Sequence, residues 1–107
     1  MATQPEARIA ARILSYLRSL PNSWWIKTHG GAYGRRGIPD LIGCIHGRFY
    51  ALEIKRPGQK ARPLQEHVLN EIADAGGIVA VVTSKEDVKG IVCGSIQGCS
   101  DSSPTDR

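Results

Sequence analysis

Two carboxylates and a lysine, placed on what reads as one β-hairpin, are the residues of this chain best suited to chemistry. They are Asp40, Glu53 and Lys55. His46-Gly47 is a two-residue turn signal between two apolar runs, 38–45 and 48–55. With that turn Ile45 pairs with Arg48, and the same register sets Asp40 opposite Glu53. Like charges directly across a strand pair repel, so such a pair calls for compensation. A divalent cation supplies it, because hard oxygen donors suit Mg²⁺ or Mn²⁺. Side chains two apart on a strand share a face, so Lys55 joins Glu53 while Tyr50, Leu52 and Ile54 turn to the core. A metal polarises a phosphate oxygen and acidifies bound water. A lysine beside it orients that water or offsets charge building on the phosphate. These are the parts of phosphodiester hydrolysis. The same three groups also fit a structural salt-bridge cluster.

Two further polar residues fall where helical spacing expects apolar ones. Glu6 precedes Ile9 and Ile13 by three and seven, and Gln65 precedes Val68 and Leu69 by three and four. Glu6 reads either as a site carboxylate or as the Glu of a capping box opened by Thr3. Gln65 reads either as a site amide or as a side chain satisfied by backbone.

The elements that must position these groups follow from periodicity. Residues 3–20 form a first helix on Ile9, Ile13, Leu17 and Leu20, stopped by Pro21-Asn22-Ser23. Residues 24–28 form a short strand in which one of Trp24 and Trp25 fills the core. A glycine-rich basic loop, 29–37, leads to the hairpin, and a basic loop, 56–63, follows it. A second helix spans 64–75 and ends at Gly76-Gly77. Residues 78–82 are apolar on both faces, as a central buried strand would be. Ser84 to Asp87 opens a short third helix carrying Val88, Ile91 and Val92. The order α-β-β-β-α-β-α predicts an α/β domain, a mixed central sheet flanked by helices, over residues 1–93. Residues 94–107 read as a flexible polar tail.

The charge is unevenly placed. From Lys27 to Arg62 there are eight cations against two acids, a net of +6, whereas the rest sums to −2 to give +4 overall. A localised basic stretch is the footprint of a polyanion binder. Arg35, Arg36, Arg56, Lys60 and Arg62 flank the candidate site in sequence and are expected to hold phosphates. Gly30, Gly31 and Gly34 would let backbone approach DNA closely, and Tyr33 is placed to stack on a base.

With 107 residues, 41% of them hydrophobic, the chain has room for one core. No apolar run nears the ~18 residues of a membrane span, and no signal-like layout opens the sequence, so a cytoplasmic protein is expected. Cys44, Cys93 and Cys99 have no CxxC spacing, which argues against zinc or a disulfide framework. Cys44 reads as a small core residue.

Taken in order, the segments Gly37-Ile-Pro-Asp40, Phe49-Tyr-Ala-Leu-Glu53-Ile-Lys55-Arg-Pro-Gly58, Pro63-Leu-Gln65, Gly76-Gly77 and Ser84-Lys-Glu-Asp87 resemble a known family. It is the virus-type replication-repair nuclease domain (VRR-NUC) of the PD-(D/E)xK superfamily. The resemblance covers residues 6–92 and implies a restriction-endonuclease-like core. It implies that Asp40 and Glu53 bind Mg²⁺ or Mn²⁺ with the Ile54 carbonyl, and that Lys55 is the catalytic lysine. It implies that Glu6 contacts the metal site through water, and that Gln65 is the glutamine of this branch. The implied reaction is metal-assisted hydrolysis of DNA leaving a 5′-phosphate. Small stand-alone members resemble phage proteins that act as homodimers on branched DNA such as Holliday junctions. A flap or nicking nuclease, or a binding module that does not cut, are the alternatives.

Overall fold

A computed structural model describes residues 5–28 and 36–101, with side chains as far as Gly94. Its elements are α1 (Glu6–Arg18), β1 (Ser23–Lys27), β2 (Leu41–Ile45), β3 (Arg48–Ile54), α2 (Pro63–Asp74), β4 (Ile78–Val82) and α3 (Lys85–Asp101). The predicted order holds. One sheet runs β1-β2-β3-β4, antiparallel across the first three strands and parallel between β3 and β4.

The hairpin register is the one the turn dictates. His46 (φ 50°) and Gly47 (φ 82°) both take the left-handed backbone of a two-residue turn. Ile45 faces Arg48, and pairing continues to Leu41 opposite Leu52. On one face of the sheet Trp25, Leu41, Ile45, Tyr50, Leu52, Ile54 and Val82 pack beneath Ile9, Ile13 and Leu17 of α1 and Val88 and Val92 of α3. α2 lies on the opposite face, over β3 and β4. That second face carries Glu53.

Trp25 is the core tryptophan, 4% exposed, and its alternating neighbour Trp24 is 60% exposed. The Trp25 ring lies across Gly43, its β2 partner. A Cβ on Gly43 would stand 2.3 Å from the ring. Backbone also crowds that position, the Trp24 carbonyl oxygen at 2.5 Å. Gly43→Ala should therefore cost about 3 kcal/mol, by the overpacking mechanism. Chemical denaturation checks this, and a loss below ~1 kcal/mol would mean that the tryptophan moves freely.

Several boundaries differ from expectation. α1 begins at Glu6 with Pro5 as N-cap and no side-chain cap bond, so Glu6 is the first helical residue and not the third. Thr3, which would open the capping box, lies outside the described residues. β4 is an edge strand instead of a central one. It is apolar on both faces because α2 covers one and α3 packs on the strand as well, although Val81 stays 42% exposed. Cys44 is half-buried on the α2 face and is not a core residue. α3 continues through Gly94 to Asp101, where a tail was expected. Its start is fixed by Ser84, whose hydroxyl accepts from the Asp87 N–H, while Asp87 accepts from Thr83. Once that packed first half is nucleated, each added residue needs only propagation, and the next proline is Pro104. Within the described residues, no helix is long and apolar enough to cross a membrane.

Candidate active site

The site is assembled where β2 begins and β3 ends. The short segment entering β2 is pressed onto α2: Gly37 adopts φ +82°, and a Cβ there would meet the Leu64 side chain at 2.9 Å. Glycine is what allows that approach and that backbone together. Pro39 is fully buried behind it. Thr28 then extends the β1–β2 contact by one step, its N–H donating to the Asp40 carbonyl (2.9 Å) and its hydroxyl to the Pro39 carbonyl. Asp40 is thus fixed through its own backbone just before β2. Its Oδ2 accepts from the Ile54 N–H at 2.9 Å. One carboxylate oxygen is spent on holding β3, and the other remains for chemistry.

Glu53 is the one buried charged residue among those described, 1% exposed. Its Oε2 accepts from Gln65 Nε2 at 2.8 Å and lies 3.5 Å from Lys55 Nζ. Its Oε1 is buried with no partner. Burial, and then the adjacent Asp40 charge, push its pKa up from 4.5 to about 7, against the opposing pull of Lys55. A buried acceptor without a donor is costly. A pair of carboxylates with one orphaned oxygen fits a divalent cation, which would satisfy that oxygen and cancel the repulsion. The carboxylate donors are Asp40 and Glu53; the described residues contain no group of three His, Cys, Asp or Glu side chains that could hold a metal.

Gln65 reconciles both of its readings. Its Oε1 accepts from the Arg62 N–H at 2.8 Å at the start of α2, which leaves the amide nitrogen for Glu53. One side chain caps a helix and orients a site carboxylate.

Glu6 is half-buried at the start of α1. With the Gln59 amide oriented to suit both neighbours, its nitrogen donates to Glu6 Oε2 (2.8 Å) and its oxygen accepts from Arg56 Nη2 (2.8 Å). No role for Gln59 is legible in the sequence. Nothing in its surroundings along the chain marks it, because its partners lie on α1 and within its own loop. Thr28, too, is marked in the sequence only as a strand residue.

Arg36, Arg56, Lys60 and Arg62 are all exposed. Loop 56–62 runs directly from Lys55 to the helix bearing Gln65, so three of these cations border the site by connectivity. Arg35, Tyr33 and the glycines Gly30, Gly31 and Gly34 lie outside the described residues.

Comparison with protein families matches the VRR-NUC domain over residues 8–86. The chain belongs to the VRR-NUC family. That match includes Asp40, Glu53, Lys55 and Gln65 and begins just after Glu6. A solved structure described as a VRR_NUC domain shares 25% identity with this VRR-NUC chain, with a TM-score of 0.69, covering 81% of it and 92% of the other. A second, described as a VRR_NUC domain protein, superposes with a TM-score of 0.74 at 16% identity, covering 91% and 92%, and supports the fold. No curated protein sequence matches the chain. The VRR-NUC assignment makes this a nuclease domain, in a family whose nucleases generally depend on a metal ion.

Proposed function

We propose that this VRR-NUC chain is a Mg²⁺- or Mn²⁺-dependent deoxyribonuclease that cuts branched DNA as a homodimer. The observation that carries the reading is Glu53. It is a buried carboxylate with one oxygen orphaned beside Asp40 and the other held by Gln65 and Lys55. Asp40, Glu53 and the Ile54 carbonyl would hold the ion, and Glu6 would reach it through water once released from Gln59. When bound, the ion supplies Lewis acidity toward the scissile phosphate and its attacking water.

The chain's own residues do the rest. Asp40 keeps its position because the Ile54 N–H and the Thr28 contacts fix it from two sides. Gln65 prevents Glu53 from rotating away and leaves Oε1 presented. Lys55, 12% exposed at its side chain, is desolvated enough to orient a water and to stabilise charge on the phosphate oxygens. Arg36, Arg56, Lys60 and Arg62, with Arg35, would hold flanking phosphates and set the register of the strand without reading bases.

The test is a cleavage panel of labelled four-way junction, flap and plain duplex, each with Mg²⁺, Mn²⁺ or chelator. Junction cutting at least ten times faster than duplex cutting, abolished by chelator, is expected. Preference for the flap would replace the junction reading with a flap nuclease. Binding without cutting under either ion would leave a nucleic-acid-binding module.

A further inference from the structure

Three of the cations beside the site ride on loop 56–62, and the start of that loop holds one of them in place. The Lys55 N–H donates to the Val82 carbonyl (3.0 Å), so the loop departs from a fixed point on the sheet. Arg56-Pro57-Gly58-Gln59 then turns back on itself. The Gln59 N–H donates to the Arg56 carbonyl at 3.0 Å, and Gly58 takes φ +88°. Proline second and a positive-φ glycine third are the residues of a type II turn. The turn returns Gln59 to Arg56, and its side chain bridges two charged groups. Its nitrogen donates to Glu6 Oε2 on α1 (2.8 Å), and its oxygen accepts from Arg56 Nη2 (2.8 Å). Glu6 is half-buried and Arg56 exposed, so the chain of bonds runs from the body of the fold out to solvent. We infer that Gln59 is a positioning residue, which uses Glu6 as an anchor to aim the Arg56 guanidinium at a phosphate of the bound DNA. The inference rests on the reading of Arg56 as a phosphate-holding cation.

The chemistry of the bridge suits that task. A carboxylate only accepts and a guanidinium only donates, whereas an amide does both and can join them in series. A direct pair between Glu6 and Arg56 would also hold the guanidinium, but it would spend the charge inside the protein. The neutral amide fixes the guanidinium and leaves its charge whole for a phosphate, whose affinity for the protein comes from that charge. Gln59 uses one donor group of a fork that carries five N–H bonds, which leaves enough for a two-pronged grip on phosphate oxygens. An arginine on an exposed loop samples many rotamers and loses that freedom when it grips a phosphate. Restricting it beforehand raises affinity without adding any contact to DNA. The turn bond from the Gln59 N–H to the Arg56 carbonyl is independent of Glu6. Gln59 therefore stays beside Arg56 when Glu6 turns to the ion.

Equilibrium binding of the full chain to a labelled four-way junction, in chelator so that nothing is cut, tests this across a series of salt concentrations. Wild type, Gln59→Ala, Arg56→Ala and the double variant complete a double-mutant cycle. Gln59→Ala should raise Kd about fivefold. Arg56→Ala should raise it about tenfold, and the double variant no further than Arg56→Ala alone. If Gln59 only packs the loop, its loss also displaces Lys60 and Arg62. Binding then weakens again in the Arg56→Ala background, and that result overturns the inference. Gln59→Glu gives a second reading, because its carboxylate draws Arg56 into an ion pair. It should weaken binding more than alanine does and lower the slope of log Kd against log salt by about one phosphate contact. An unchanged slope with that variant equally overturns the inference. Gln59 is exposed, so both substitutions leave the fold intact, which circular dichroism checks. A wild type that binds no DNA refutes the nuclease reading and this one with it. A wild type that binds, with Gln59→Ala within about 1.5-fold of it, refutes the positioning role alone.

Discussion

Asp40→Asn should lower the rate of DNA cutting by about 10³-fold or more, with DNA binding changed by less than threefold. The variant separates what Asp40 does for the fold from what it does for the reaction. In the fold, its Oδ2 accepts from the Ile54 N–H, and its main chain is tied to Thr28. An asparagine oxygen can take over that acceptor role at the same position, so β2 and β3 stay in register. What is lost is the negative charge. A neutral amide is a poor ligand for a hard divalent cation, and the proposed water and phosphate polarisation depend on that ion. The exposed cations Arg36, Arg56, Lys60 and Arg62 do not depend on Asp40, which is why binding should persist. Single-turnover cleavage with Mn²⁺, alongside equilibrium binding in chelator, reads both quantities. Cutting at more than a tenth of the wild-type rate would remove Asp40 from the catalytic machinery.

The hairpin was the most legible part of the sequence. A turn of His46-Gly47 leaves one register that keeps Tyr50, Leu52 and Ile54 in the core, and that register brings Asp40 to Glu53. The pairing was thus readable from alternation and turn chemistry, both local. Gln65 was legible as a polar residue on an inward helix face, but its target on another element was not. Glu6 was ambiguous because capping depends on where a helix starts, a matter of one or two residues that propensity does not resolve. The position of β4 was misread because an edge strand sandwiched by helices carries the same apolar pattern as a central one. Gln59 had no local signature at all; only the packing of loop 56–62 against α1 brings its amide to Glu6.

Glu53→Gln should have opposite effects on activity and on stability. Glutamine keeps the shape of the side chain and an oxygen to accept from Gln65 Nε2, so the hydrogen bond that anchors it survives. It removes a buried charge from beside Asp40. Cutting should fall by about 10³-fold, as for Asp40→Asn, because a metal-binding carboxylate is lost. In chelator at pH 8, however, the variant should be more stable than the wild type. The sign follows from the raised pKa. Burial and Asp40 hold the Glu53 pKa at about 7 in the folded chain, against 4.5 when unperturbed. The folded state therefore binds the proton more tightly, and protonation favours folding. That contribution is fully present below pH 4.5 and is lost as pH rises through 7. Its full size is about 3 kcal/mol, an upper bound, since Lys55 can adjust to the charge. Glutamine mimics the protonated form at every pH, so its advantage should be under ~1 kcal/mol at pH 5 and reach about 1–3 kcal/mol at pH 8. Adding Mg²⁺ or Mn²⁺ at pH 8 should narrow or reverse that advantage, because the ion stabilises only the wild type, whose two carboxylates can hold it. Thermal melts of both proteins at the two pH values, with chelator and with metal, give the whole pattern. If Glu53 serves instead as the partner of a structural salt bridge to Lys55, glutamine should destabilise the chain at pH 8 and metal should make no difference. A melt in chelator alone then separates a site held ready for a cation from a charge cluster that only holds the fold.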